Sequence, residues 1–266
     1  MDSLALLRSG DLSASLEQLK REVRQAPRDA KLRTFLFQLF CVTASWDRAL
    51  TQLQVTGELD PLAIPMCQAY QSAIRCEMLR EKVMTGARTP TVFGDPEPWM
   101  SLLIEAGRRL SAGAPEDAAG LRDDAFEAAP AVSGTIDGTA FEWVADADPR
   151  FGPMLEAMVD GKYYWVPFHR IKKISFEAPA DLRDQVWFPA NFTWANGGEV
   201  VGFVPSRYPG SADAEAAIAL ARKTEWQDRG AEFFTGLGQR MLATDAGEFP
   251  LLDIRTIEIN ANEPAA

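Results

Sequence analysis

Gly10, Leu12, Ser15, Leu19 and Pro27 are followed 34 positions later by Ala44, Trp46, Ala49, Leu53 and Pro61. That spacing is the length of one helix–turn–helix unit and the period of the tetratricopeptide hairpin. The residue types fit such a unit. Gly10 and Ala44 are small where a first helix turns into a second. Ser15 and Ala49 are small where the paired helices must approach closely. Pro27 and Pro61 close the second helix, because proline has no N–H with which to continue it. The first helix of the second unit runs over Asp29–Thr43, with Leu32, Phe35, Leu36, Leu39 and Phe40 as its apolar stripe. Phe35, Phe37 and Phe40 read as core. A further long helix is expected over Ile64–Val83, with Cys67, Tyr70, Ile74, Met78 and Leu79 in register, but the repeat signals decay there. Two units are fewer than a free-standing array needs, so the hairpins must lean on the rest of the chain. Such repeats make concave surfaces that hold a partner helix or peptide, and they also serve as plain scaffolds.

Downstream, Thr85–Pro98 is rich in proline and glycine and reads as a connector. Helices are expected over Pro98–Leu110 and Pro115–Ala129, the second favoured by Pro115, Glu116 and Asp117 at its start. A domain boundary is placed near residue 130. Charge is distributed unevenly. Residues 1–60 carry eight acids and eight bases, whereas residues 95–160 carry fourteen acids and four bases, net −10 in a chain of net −11. This balance disfavours nucleic acid and anionic membrane as partners. The acidic stretch reads as a solvated face or as a surface for a basic partner.

Cys41, Cys67 and Cys76 lie in apolar helical segments, and their odd number fits buried free thiols in a reducing compartment. Asp2, Arg8 and Asp11 break any signal-peptide pattern, and no apolar run reaches membrane-spanning length. A cytoplasmic location is expected.

The second half is dominated by aromatics: Ser133–Pro209 holds 14 of the chain's 26. They sit between turn residues rather than at helical spacing, which predicts short strands joined by structured loops. A strand is read over Gly138–Ala145, a loop over Asp146–Pro153 and a short helix over Met154–Val159. Tyr163–Pro167 and Ile171–Glu177 read as a strand pair around His169, and Asp181–Asp184 as a turn or short helix. Val186–Trp194 and Glu199–Val204 read as a hairpin across Ala195–Gly198. An alanine-rich helix is expected over Ser211–Lys223 and a last hairpin over Gln239–Thr244 and Phe249–Ile259, with a frayed tail after Asn260. The expected fold class is α+β: tetratricopeptide-like helical hairpins over 1–130, then an α+β domain with a mostly antiparallel sheet over 131–266.

A search for chemistry finds no catalytic set. His169 is the single histidine, and Arg170, Lys172 and Lys173 beside it disfavour its protonation. No Cys/His cluster has zinc spacing. Asp146 and Asp148 are two apart and would suit a carboxylate-dependent hydrolase, but Asp-x-Asp-Pro is also an ordinary exposed turn. Gly236-Leu237-Gly238 lacks the third glycine of a dinucleotide loop, and no cofactor is implied. What remains is arginine with aromatics: Arg207-Tyr208-Pro209, Thr224-Glu225-Trp226 and Asp184 with Trp187. Such residues anchor interfaces and also staple cores.

The order of motifs across 133–259 resembles the ImpE family, also called TagJ, of type VI secretion accessory proteins. The resemblance rests on Asp146-x-Asp148-x-Arg150-x-Gly152-Pro153, Gly161-x-Tyr163-x-Trp165-Val-Pro-Phe168 and Arg183-Asp184-x-Val-Trp187-x-Pro-Ala190. It continues through Arg207-Tyr208-Pro209-Gly-Ser211, Lys223-Thr-Glu-Trp226, Gly236-Leu-Gly-Gln-Arg240 and Leu251-Leu-Asp-Ile-Arg255. Leu6-Leu7-x-x-Gly10-Asp-Leu12 matches the family's first hairpin. The resemblance implies a non-enzymatic cytoplasmic adaptor. It would bind the N-terminal helix of the small contractile-sheath subunit and connect it to the AAA+ ATPase that dismantles sheaths. It implies no catalytic residue and no cofactor. Asp148, Arg150, Trp165, Asp184, Trp187, Arg207, Tyr208, Trp226 and Arg240 are the candidate interaction or motif residues. A general peptide-binding scaffold with another client is the alternative, and a hydrolase at Asp146 and Asp148 the next.

Overall fold

The structure, a computed structural model, describes residues 2–260. The tail beyond Asn260, read above as frayed, lies outside the described residues. The first half is helical: α1 Ser3–Arg8, α2 Leu12–Gln25, α3 Ala30–Val42, α4 Trp46–Leu59, α5 Ile64–Met84, α6 Pro98–Ser111 and α7 Pro115–Ala128. Aspartates start the first three: the carboxylates of Asp2, Asp11 and Asp29 accept from Ala5, Ala14 and Lys31 backbone N–H groups. The 34-residue recurrence corresponds to real geometry. Gly10 (φ 88°) and Ala44 (φ 49°) both turn the chain in the left-handed region, at equivalent points of α1–α2 and α3–α4. Ser15 and Ala49 are fully buried at the helix contacts.

The sheet half begins early. β1, Thr91–Val92, lies inside the stretch read as a connector and pairs in parallel with β6. The remaining strands are β2 Gly134–Ile136, β3 Thr139–Phe141, β4 Val144–Asp146, β5 Met154–Val159, β6 Lys162–Pro167, β7 Ile171–Phe176, β8 Trp187–Trp194, β9 Glu199–Pro205, β10 Thr224–Asp228, β11 Phe234–Gly238, β12 Met241–Thr244, β13 Gly247–Pro250 and β14 Thr256–Ile259. A short helix α8, Ala216–Ala219, separates β9 from β10. Nine strands form the main sheet in the order β1-β6-β5-β9-β8-β7-β14-β2-β3, antiparallel except at β1–β6. β10–β11 make a hairpin, and β13-β12-β4 a three-stranded sheet.

Several sequence expectations are corrected. Met154–Val159 is a strand, not a helix, with all six residues buried. Both its faces are covered, so it shows no alternation, and an apolar run of that length cannot be told from a helix by periodicity. The missed signal was Asp160-Gly161, at φ 50° and 70°, the residue pair and backbone sign of a tight hairpin turn joining β5 to β6. Asp137-Gly138 (φ 47° and 84°) does the same between β2 and β3, so Gly138 sits in a turn and not in a strand. β6 and β7 do not pair; a 3-10 corner at Phe168–Arg170 carries the chain across to the far side of β8. The helix expected over Ser211–Lys223 shrinks to α8, because Ala221 (φ 51°) turns left-handed and Ser211 Oγ is engaged with Gly238 N–H. The last hairpin closes on β13, and β14 leaves it to enter the main sheet between β7 and β2. The β8–β9 hairpin has the expected pairing.

Two apolar layers result. One lies between the helices and the sheet and contains Leu36, Phe37, Tyr70, Ile74, Met154, Met158 and Trp187. The other covers the opposite face with Leu155, Val166, Ile174, Phe188 and Phe192. Alternation along β5 puts Met154, Glu156 and Met158 on the helix side. A carboxylate is thereby placed in the layer that joins the two halves.

Candidate functional site

Glu156 is 1% exposed and would be costly there alone. Two arginines meet it. Arg80 of α5 donates from Nε to Oε1 (2.8 Å) and from Nη2 to Oε2 (2.7 Å), a bidentate fork from helix to sheet. Arg240, just before β12, pairs with Glu156 through one nitrogen and with Asp146 through another. Tyr163 donates its hydroxyl to Glu156 and receives Trp165 Nε1 at 2.7 Å. Arg80 also reaches Glu77 (2.8 Å), whose second oxygen accepts from Trp187 Nε1 at 3.0 Å. On the far side, Asp146 accepts from Tyr208 Oη and from Asp148 N–H, both at 2.9 Å. Asp148 accepts from Arg150 (2.6 Å) and from Gly236 N–H (2.7 Å). Tyr208 lies flat over Gly236, where a Cβ would fall 2.2 Å from its ring.

Arg207 completes the set differently. It meets no carboxylate. Its guanidinium donates to the carbonyls of Cys41 (2.9 Å) and Val42 (2.7 Å) at the end of α3, and to that of Ala219 (2.5 Å) at the end of α8. Carbonyls left free at the ends of α3 and the short α8 thus hold a buried cation. Burial pushes its pKa down to about 10 against the pull of Glu77.

The sequence candidates therefore come together, but mostly inward. Asp148, Trp165, Asp184, Trp187, Arg207, Tyr208 and Arg240 are buried and Arg150 is nearly so; Trp226 alone is well exposed, at 40%. Trp187, through Glu77, and Arg207, through the Cys41 and Val42 carbonyls, tie the helical hairpins to the sheet half, while the others bond within that half. Asp184 holds a turn by accepting from Ala180 and Asp181 N–H groups. Sequence reasoning missed Glu77, Arg80 and Glu156. The available signals were an i,i+3 ion pair within a helix otherwise rich in apolar residues, and one acid inside Met154–Val159.

The chemistry available here is structural. Asp146 and Asp148 are not displayed by a turn, as read above, but are 3% and 0% exposed, and their oxygens are taken by Arg240, Tyr208, Arg150 and backbone N–H groups. The hydrolase alternative loses its geometric basis. Four acids (Glu77, Asp146, Asp148, Glu156) are ion-paired with three arginines (Arg80, Arg150, Arg240), and Arg207 lies beside them on backbone carbonyls. His169 stands 3.0 Å from Glu97, which Arg170 also engages, and burial lowers its pKa. Among the described residues no group of His, Cys, Asp or Glu is placed to hold a metal. The acidic stretch 95–160 is no single surface, because Asp146, Asp148 and Glu156 are internal.

The network sets an acid limit on stability. Burial alone would raise the Glu156 pKa, but Arg80 and Arg240 outweigh it and hold it at about 2, below the ordinary 4.5. A depressed carboxylate stabilises the fold above its unfolded pKa, so about 3 kcal/mol is present above pH 4.5 and lost as pH falls towards 2. Asp146 runs the other way: burial raises it to about 6, so it weighs against the fold at neutral pH and ceases to do so as pH falls from 6 towards 4. Urea unfolding across pH should thus show stability rising slightly between pH 7 and 5, then falling steeply below about 4. Glu156→Gln should flatten the acid limb; an identical limb in that variant would contradict the assignment.

The open surface lies elsewhere. A groove of about 640 Å³ runs between α1, α3 and the loop at Ala180–Leu182. Leu4, Leu7, Leu32, Phe35 and Leu182 line it. Phe37 and Phe40 are core as expected, but Phe35 is only half-buried and faces the groove.

Helix hairpins with an open apolar groove are joined through buried arginines to a mostly antiparallel sheet. The sequence profile of the family described as "ImpE protein" matches residues 138–258. The chain is 46% identical to the type VI secretion system accessory component TagJ of Pseudomonas aeruginosa, over 97% of this chain and 91% of that one. The crystal structure of protein VPA1032 from Vibrio parahaemolyticus superposes with a TM-score of 0.88 at 26% identity, covering 97% of each chain. The chain belongs to the ImpE family of type VI secretion accessory proteins. Among the described residues no helix is long and apolar enough to cross a membrane.

Proposed function

We propose that this chain is a cytoplasmic, non-enzymatic adaptor of a type VI secretion system. It binds the N-terminal segment of the small contractile-sheath subunit and connects it to the AAA+ ATPase that dismantles sheaths. The observation that carries this reading is near-full-length similarity to an accessory component of that machine. The fold supports it: hairpins of tetratricopeptide type present a concave groove, while the polar network is spent on joining the halves. In this reading residues 1–130 receive the sheath segment and residues 131–266 brace them and offer the second contact. Titration with a synthetic peptide of the sheath subunit's N-terminal segment tests it. The expected result is saturable binding with Kd of about 10 µM or tighter, near −7 kcal/mol. No heat or anisotropy change at a tenfold higher concentration would remove the reading.

A further inference from the structure

Strand β10 carries an unprotected edge. The hairpin it forms with β11 stands outside both larger sheets. Gln239 N–H donates to the Lys223 carbonyl (3.0 Å) at one end of that hairpin, and Arg229 N–H to the Phe233 carbonyl (2.8 Å) at the other. Bonded and non-bonded pairs alternate along an antiparallel ladder, so Glu225 and Gln227 turn their backbone groups towards β11. Thr224, Trp226 and Asp228 turn theirs outward, where no strand meets them among the described residues. The far edge of β11 is closed: Gly236 N–H goes to the Asp148 carboxylate (2.7 Å) and Gly238 N–H to Ser211 Oγ (2.8 Å).

Other strand edges are blunted. β1 is two residues long. Beyond β3, the Glu142 and Trp143 N–H groups are taken by the Asp245 carboxylate. β13 ends on Pro250, which has no N–H to offer. The β10 sequence, Thr-Glu-Trp-Gln-Asp, contains neither proline nor lysine, and such an edge is a template for another strand. An apolar surface adjoins it. Phe234 lies opposite Asp228, so it shares a face of the hairpin with Trp226, and the two are 46% and 40% exposed.

We infer that β10 pairs antiparallel with β10 of a second copy of this chain, making a four-stranded sheet across a two-fold axis. The strand is complementary to itself in that register. Trp226 meets the partner's Trp226 on the axis, Thr224 meets the partner's Asp228, and Glu225 meets the partner's Gln227. No two acids stand directly opposite. The Gln227 side-chain oxygen serves Arg229, which leaves its amide nitrogen for the partner's Glu225. One like-charge pair, Lys223 with the partner's Arg229, falls outside the strand. Each of these cations is already engaged in its own chain, Lys223 by Glu215 and Glu225, Arg229 by Gln227 and Thr235. A two-fold contact uses each edge once and closes, so assembly stops at two copies. The pairing does not depend on the adaptor role.

Sedimentation velocity on the full chain, from about 5 to about 200 µM, tests this. The expected result is a reversible monomer–dimer equilibrium with Kd between about 10 and 100 µM, as suits a small interface. The Trp226 amide, open to solvent in the monomer, should exchange about threefold more slowly at the upper concentration. Gln227→Glu sets acid against acid twice across the axis and should weaken the dimer by about tenfold. Adding Glu225→Lys turns both contacts into ion pairs and should restore the affinity to within about threefold of wild type. Trp226→Pro removes an outward N–H without touching the β10–β11 bonds and should leave a monomer at about 200 µM. Should Trp226→Pro lower the urea midpoint, the charge exchange carries the test alone. A wild-type chain that stays monomeric throughout overturns self-pairing and gives the edge to an extended segment of a different chain. A dimer unchanged by Gln227→Glu, or weakened by it and not restored by Glu225→Lys, overturns the inference as well.

Discussion

Arg240→Met is expected to lower the unfolding free energy by about 3–5 kcal/mol, the cost of stranding buried charge. Arg240 is fully buried and bridges Asp146 and Glu156, while its Nε donates to the Pro205 carbonyl at 3.0 Å. Its guanidinium also lies over the rings of Phe151 (4.8 Å) and Tyr208 (5.3 Å). Methionine can fill much of that volume but cannot answer two carboxylates. Glu156 would keep Arg80, whereas Asp146 would keep only Tyr208 and a backbone N–H. Adding Asp146→Asn to Arg240→Met should therefore recover part of the loss, since a neutral amide needs no countercharge. Urea unfolding at pH 7 measures all three proteins. A loss below about 1 kcal/mol for Arg240→Met would show that the ion pairs are incidental.

Arg207→Met should cost a similar amount for a different reason. No charge is stranded; two carbonyls are. Val42 and Ala219 would each lose a donor inside the protein, at about 1–3 kcal/mol for each buried acceptor left unmade, while the Cys41 carbonyl would keep the Ala44 N–H. The loss should be localised. Amide exchange in the last turn of α3 should speed up more than in the central strands β5 and β8, because Arg207 ties that helix end to the segment after β9. Uniform acceleration through both halves, or none, would contradict the capping role.

These two arginines show where sequence reading succeeds and where it stops. Local rules with a short reach were legible. The turns at Gly10 and Ala44 and the helix that begins after Asp29 sit where the 34-residue spacing puts them. Arg207 and Arg240 were visible as arginines among aromatics, but their burial was not, because an arginine's partners lie far away in sequence. Arg240 meets Asp146 across 94 residues and Arg207 meets Val42 across 165. Strand β5 was lost because a strand buried on both faces has no period. The groove was legible only as a possibility of the repeat; its third wall, Ala180–Leu182, comes from the other half of the chain.

A bridging assay tests most directly the proposed role of this chain as a link between the sheath subunit and the disassembly ATPase. The small sheath subunit's N-terminal segment is immobilised, and capture of the purified ATPase is measured with and without this protein. The account predicts ATPase retention that rises with added protein and falls away when free segment competes. ATPase capture that is the same with and without the protein, while the protein itself is retained, would contradict it.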